Sequence, residues 1–317
     1  GLPLPDAPYH SKLRAPMIMM LLAAALATLP LLATLQIVAA AAGPLKIDAR
    51  AHFTAVAGLE DSEIQLDRAA LLIAAETDEA LDVDLYLNHL DDLARRFDDA
   101  PTIETTLGVS IQRLSAFIHT DEGFSGNVKD YNNPANSYLN RVIDTRCGIP
   151  ITLAMIHIGI GQRLNLTVSG INFPGHFLVQ YGNDRNLFVD PFSGRILSEA
   201  DCATLFRQIA GPRAKFESSH LDPAPNKAIL FRMLDNLKRI FWPNKQWDEA
   251  KACIERQLLL YPVPDLSIQL GNVAEMQGNR ELAEYIYTQI LQTTDNEQIR
   301  EVASRRLLAM ASSNKMH

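Results

Sequence analysis

Apolar residues recur every third or fourth position through Leu66 to Ala75 and again through Val83 to Phe97, where Val83, Leu87, Leu90, Leu93 and Phe97 stand among acids and arginines. Such spacing gives each segment one greasy and one wet face, so both are expected to be amphipathic helices. A third helix is expected from Pro101 to about His119, with Leu107, Ile111, Leu114 and Phe117 in line. The stretch Asp121 to Pro134 is rich in Gly, Asn and Asp and reads as a loop. A short helix follows it, opened near Asn136 or Ser137, both good N-caps.

The texture then changes. Cys147-Gly148 is expected to close the short helix, and Pro150 suits the first turn of the next. Ile151 to Leu164 is apolar on nearly every side, the signature of a buried central helix. Gly159 and Gly161 weaken such a helix in isolation, so their use is to admit a close neighbour. Leu166 to Ile171, His176 to Tyr181 and Leu187 to Val189 have strand character, with Gly182 to Asn186 as a turn. From Asn226 to the end the pattern is helical again, interrupted at Pro243, Pro262, Pro264 and Gly278-Asn279. Placing Trp247-Asp248-Glu249-Ala250 on Arg280-Glu281-Leu282-Ala283 aligns Ala250 with Ala283 and Leu258 with Leu291, an offset of 33 residues. Tetratricopeptide repeats have a period of about 34. The expected fold is α+β: a helical layer and a small antiparallel sheet over residues 46–222, then repeat-like helices over 223–317.

Residues 1–45 form a separate apolar segment. No charge occurs from Ala15 to Leu45, and Met17 to Ala42 is almost wholly apolar, long enough to cross a bilayer as a helix. The segment reads as a membrane anchor or as a signal peptide, with Lys12 and Arg14 as its basic end and Ala39 to Ala42 as its cleavage zone. A third reading puts the native start near Met17. A formal net charge of -8 offers no general basic field for a nucleic-acid backbone, so nucleic acid is not an expected partner. Three cysteines, Cys147, Cys202 and Cys253, make no CxxC pair and no even-numbered disulfide framework. HExxH, GxGxxG, Walker and EF-hand patterns are absent from the sequence, so neither a metal nor a cofactor is expected.

The candidate chemistry lies at His176 and Asp190. If the intervening turn centres on Asn183 the two residues face each other; one residue later they are diagonal neighbours on one face. Either way an aspartate can orient an imidazole, two thirds of a nucleophile, base and orienter set. The alternative is a core histidine satisfied by an aspartate. The third member belongs at the start of the buried helix, where the dipole and free N–H groups favour a thiolate. Gly148-Ile149-Pro150-Ile151-Thr152 supplies no cysteine there. Cys147, just before the helix, is the candidate nucleophile, with inert packing as the alternative; Thr152 is a weaker hydroxyl candidate. His157 reads as a hydrogen-bonded core residue, and Trp242 and Trp247 as packing anchors.

The runs Asn133-Pro134-Ala135-Asn136-Ser137-Tyr138-Leu139-Asn140, Gly148-Ile149-Pro150-Ile151-Thr152-Leu153, Pro174-Gly175-His176-Phe177-Leu178-Val179 and Val189-Asp190-Pro191-Phe192-Ser193-Gly194 together resemble the bacterial SirB-type family. Gly123-Phe124-Ser125-Gly126-Asn127 and Arg232-Met233-Leu234-Asp235-Asn236-Leu237 extend the resemblance to roughly residues 48–310. It implies a transglutaminase-like core followed by tetratricopeptide repeats, with the cysteine position of active relatives falling at about Pro150. It also implies a cytoplasmic location, which the apolar N-terminus contradicts. Two functions are therefore expected: a non-catalytic interaction protein that takes a protein or peptide on its repeats, or a cysteine-dependent hydrolase or acyltransferase using Cys147, His176 and Asp190.

Overall fold

The computed structural model describes residues 48–99, 106–183 and 185–313. The apolar segment 17–42 lies outside them; among the described residues no helix is long and apolar enough to cross a membrane.

Four helices form the first layer: α1 (Ala49–Ala57), α2 (Leu66–Ala75), α3 (Val83–Asp98) and α4 (Leu107–Ala116). Asp48 caps α1 and Asp82 caps α3, each accepting from a backbone N–H in the first turn. Helix α4 begins at Leu107, where Thr106 in extended backbone accepts from Val109 N through its hydroxyl; the expected start at Pro101 lies outside the described residues. A π-turn (Phe117–Asp121) extends α4 and turns His119 inward, where it is mostly buried.

The short helix is α5 (Leu139–Thr145), and Arg146 in left-handed backbone (φ 59°) ends it. Cys147–Gly148 does not close that helix; it forms strand β2, paired in parallel with β1 (Ser125–Gly126). Helix α6 (Pro150–Arg163) is buried along its whole length from Pro150 to Gly161. Its glycines serve the expected close approaches. A Cβ on Gly159 would lie 3.3 Å from Leu90 of α3, and one on Gly161 would lie 3.2 Å from the Tyr181 ring.

One face of α6 rests on an antiparallel sheet in the order β3 (Val168–Ile171), β4 (Leu178–Tyr181), β5 (Phe188–Asp190) and β6 (Arg195–Leu197). Val179 pairs with Val189 and Gln180 with Phe188, which centres the β4–β5 turn on position 184, the later of the two expected registers. His176 does not begin the strand. Gly175 at φ +68° and a bond from His176 N to Phe173 O (3.0 Å) form a turn, and the strand starts two residues later. Strand β6 and the helix α7 (Glu199–Ala210) were not among the expected elements. Ser198 caps α7 and Asp201 reaches back to Ser198 N, a capping box legible in Ser198-Glu199-Ala200-Asp201.

Helix α8 (Asn226–Phe241) buries Ile229, Leu230, Met233, Leu234 and Leu237 in the same apolar core as α2 and α6. Ala250 and Cys253 of α9 (Trp247–Leu260) join it. Arg256 of α9, 1% exposed, donates to Ile73 O at 3.1 Å and pairs with Glu76 at 3.3 Å. From residue 48 onward the chain is one compact unit. Beyond α9 lie α10 (Pro264–Met276), α11 (Arg280–Thr293) and α12 (Glu297–Ser313). Helix pair α11–α12 repeats α9–α10 at an offset of 33 residues in both members, with Ala250 and Ala283 fully buried at equivalent places. Gly271 lets α11 approach α10: a Cβ there would stand 2.5 Å from the Tyr287 ring.

Candidate functional site

The turn after β5 shapes the carboxylate half of the site. Asp190 Oδ1 accepts from Phe192 N (3.0 Å), Oδ2 accepts from the Ser193 hydroxyl (2.7 Å), and Asp190 O accepts from Gly194 N (2.8 Å). Gly194 sits at φ +75°, and a Cβ on it would press within 2.7 Å of His119. The sequence Asp190-Pro191-Phe192-Ser193-Gly194 therefore makes a turn whose first residue is locked by its own successors. Oδ1 has room for one more donor, and His176 Nε2 supplies it at 2.8 Å.

Burial works to raise the Asp190 pKa, but bonds from His176, Ser193 and Phe192 outweigh it, and the net shift is downward. An ionised carboxylate only accepts, so His176 donates to it through Nε2–H. Both side chains are about 15% exposed, enough for the imidazole to meet the cavity beside it.

The histidine half is held from a distance. Arg232, on α8, donates to Phe173 O (3.1 Å), to Asn172 Oδ1 (3.4 Å) and to His176 O (2.6 Å). Its guanidinium lies 5.6 Å from the centre of the Phe177 ring. Gly175 completes the loop, since a Cβ there would come 2.5 Å from Ile209 of α7. Sequence reasoning assigned Arg232 no role. It lay in a recognisable run, yet nothing local indicates that its side chain reaches a loop 56 residues earlier.

A cavity of about 620 Å³ opens beside His176, with Ile149, Pro150 and Ile151 on the facing wall. The helix start that would carry a nucleophile therefore borders the same cavity as His176, and it carries only apolar side chains. Cys147 does not line the cavity. It sits on β2, half-buried, with its sulfur 4.0 Å from the Ser125 hydroxyl. Thr152 is fully buried; its hydroxyl donates to Asn136 O (2.6 Å) and accepts from Ile149 N (3.2 Å), which makes it part of the helix entry and not an attacking group. Burial pushes the Cys202 thiol up to about 12 and that of Cys253 up to about 11, which suppresses thiolate at both.

A second histidine group lies behind α6. His119 Nδ1–H donates to Phe124 O (2.9 Å), so its Nε2 accepts, and the partner 3.0 Å away is His157 Nε2–H. His157 Nδ1 then faces the Tyr181 hydroxyl at 3.1 Å. Protonating His119 would set N–H against N–H. Burial, aided by His119, drives the His157 pKa down to about 3, and burial also lowers that of His119. His157 is thus a hydrogen-bonded core residue. Trp242 and Trp247 pack edge to face with ring centres 5.6 Å apart. Among the described residues there is no group of three or more His, Cys, Asp or Glu side chains that could hold a metal ion.

Comparison with known proteins agrees with this architecture. A family model described as the transglutaminase-like superfamily matches residues 84–235, from the first layer to the middle of α8. A UPF0162 protein of Xylella fastidiosa (strain 9a5c) is 32% identical over 246 residues, which is 76% of this chain and 88% of the relative. A UPF0162 protein of Vibrio cholerae is 25% identical over 210 residues, 64% of this chain and 78% of the relative. F-box only protein 21 of mouse is 30% identical over 95 residues, 27% of this chain and 15% of its own. No solved structure matches. The breadth of the Xylella match, on a core whose transglutaminase-like assignment is independent of it, identifies the group to which the SirB-type motifs point: the chain belongs to the UPF0162 family.

Proposed function

We propose that this protein is a non-catalytic transglutaminase-like adaptor whose tetratricopeptide-like helix pairs hold a protein or peptide partner. The observation that carries this reading is the start of α6, which borders the same cavity as His176 and presents Ile149, Pro150 and Ile151, with no thiol or hydroxyl at the place a helix-start nucleophile would occupy. The 33-residue recurrence of α9–α10 in α11–α12 supplies the repeat half. Met276, 60% exposed, lines a hollow with Trp242, Asn272 and Arg306 on these helices, the kind of apolar anchor a helical or extended peptide uses.

Deleting residues 245–317 would take Ala250, Cys253 and Arg256 out of the core, so point changes in the full chain make the fair test. Partners captured on the intact protein should persist with His176→Ala and with Asp190→Asn and be lost with Met276→Glu. Retention of every partner by Met276→Glu counts against the adaptor reading. The competing reading, a cysteine-dependent hydrolase or acyltransferase, keeps one motive, the His176–Asp190 bond at 2.8 Å. It requires Cys147 to outreact a free thiol toward an acylating probe, and any activity found to vanish in Cys147→Ala.

A further inference from the structure

The cavity beside His176 holds a buried polar atom with nothing to bond. Ser137 is 2% exposed, lines the cavity, and its hydroxyl has no hydrogen-bond partner among the described residues. A buried hydroxyl without a partner costs free energy, and such groups point to strain or to a missing ligand. Around it the lining is polar and one-signed. Tyr131, Asn132, Asn236 and Asn244 offer neutral groups, Arg232 and Arg239 are cationic, and none of the lining residues described is Asp or Glu. Arg232 spends its bonds on two carbonyls and an amide oxygen, which leave its charge uncancelled. Asp235 answers Arg239 at 2.8 Å but is shared with Lys238 at 3.1 Å. A locally cationic hollow in a chain of net charge -8 is a deliberate reversal of sign.

The hollow is also longer than one small molecule needs. A second chamber of about 560 Å³ shares Gly175, Arg232, Asn236 and Arg239 with the first and continues to Phe231, Asp235, Tyr261 and Val263. An apolar notch formed by Trp242, Pro243 and Gln269 meets the first cavity at Arg239. Together they make a trough along α8 in which Arg232, Arg239 and, at the notch, Lys238 outnumber the carboxylate of Asp235. We propose that this trough binds an extended acidic peptide, placing an Asp or Glu carboxylate between Arg232 and Arg239, where the Ser137 hydroxyl donates to it. The trough shares only Trp242 with the hollow at Met276, and neither Ser137 nor Arg239 lines that hollow, so substitutions at these two residues test it separately from the adaptor reading.

The test is to pass a degenerate octapeptide library over the immobilised full chain and sequence what is retained. The retained pool should be enriched in Asp and Glu over Asn and Gln, and the enrichment should fall about tenfold in Ser137→Ala and collapse in Arg239→Glu. Ser137→Ala has a second signature that loss of folding cannot mimic. Removing an orphaned hydroxyl should raise the melting temperature of the free protein, by roughly 2 °C, while weakening peptide retention. A pool without acidic enrichment, enrichment that survives both substitutions, or a Ser137→Ala protein that melts earlier than the parent overturns the proposal. Free glutarate competing as well as the acidic peptides do would place the ligand among small acids and overturn the peptide assignment.

Discussion

The two walls of the cavity are built to different standards. On the loop wall both carboxylate oxygens of Asp190 are satisfied, by three donors in all, and the histidine's backbone is gripped by Arg232 and by its own turn. On the helix wall the polar groups at the start of α6 are spent on holding the helix, and the side chains that border the cavity are the buried Ile149, Pro150 and Ile151. Asp190 is also the keystone of the β5–β6 turn, so the pair has a structural reason to exist whether or not it meets an attacking atom. A retained pair of this kind is weak evidence for chemistry, since folding alone is sufficient reason to keep it.

The largest expected effect comes from breaking the loop wall at its distant anchor. Arg232→Ala should lower stability by about 3 kcal/mol, since it removes three charge-assisted bonds and leaves the His176 carbonyl without its donor. The His176 Nε2 proton resonance should broaden or disappear as the loop loosens. Arg232→Lys should recover little, because one ammonium cannot span three acceptors. Urea unfolding measures the first effect and proton NMR the second; a silent Arg232→Ala would mean the loop is held by its turn alone.

Acid separates the walls. His157, on α6, has a folded pKa of about 3 against an ordinary value near 6.5, so the unfolded chain binds more protons between those limits. The stability from neutral His157 is complete above pH 6.5 and is lost as pH falls through that window, at up to about 1.4 kcal/mol per unit, with His119 adding in the same direction. Asp190 behaves differently. Its folded pKa lies below the ordinary carboxylate value, so its contribution is present above about pH 3.9 and is lost only as pH falls through the lower folded value. Between pH 6.5 and 4 the helix wall should therefore weaken first, and His157→Gln should flatten that part of the stability curve. An unchanged slope in the variant would assign the acid sensitivity elsewhere.

What the sequence revealed, and what it hid, follows from range. Periodicity located α2 and α3, and uniform apolarity marked α6 as central, because these features are local. Hairpin arithmetic brought His176 within reach of Asp190, although it placed the histidine on a strand that begins two residues later, at Leu178. The capping box of α7 was equally local and was missed beside the stronger strand signals. Arg232 was invisible for a different reason: its partners are main-chain atoms of a loop more than fifty residues away, and a carbonyl has no letter in the sequence. The unpartnered hydroxyl of Ser137 was hidden likewise, since a missing bond is a property of packing. Segments 1–47 and 100–105, where the anchor or signal and the expected helix start at Pro101 fall, lie outside the described residues.

The smallest effect sharpens the comparison by supplying what the helix wall lacks. Pro150→Cys puts a thiol at the first position of α6, on the wall facing His176. Pro at that position donates no helix hydrogen bond, so the fold should tolerate the exchange within about 0.5 kcal/mol. The new sulfur would meet the positive end of the helix on the wall of the cavity that His176 also lines, and both neighbours favour the thiolate. Cys147 has neither neighbour; its sulfur faces Ser125. In a Cys147→Ala background the introduced cysteine should therefore be alkylated by iodoacetamide about tenfold faster than Cys147 is in the parent chain, the effect of about one unit of pKa at neutral pH. Adding His176→Ala should remove most of that advantage. Equal rates for the two thiols would mean that the imidazole and the helix start, though they line one cavity, are too far apart to cooperate, and the loop wall's preserved geometry would then be a feature of the fold alone.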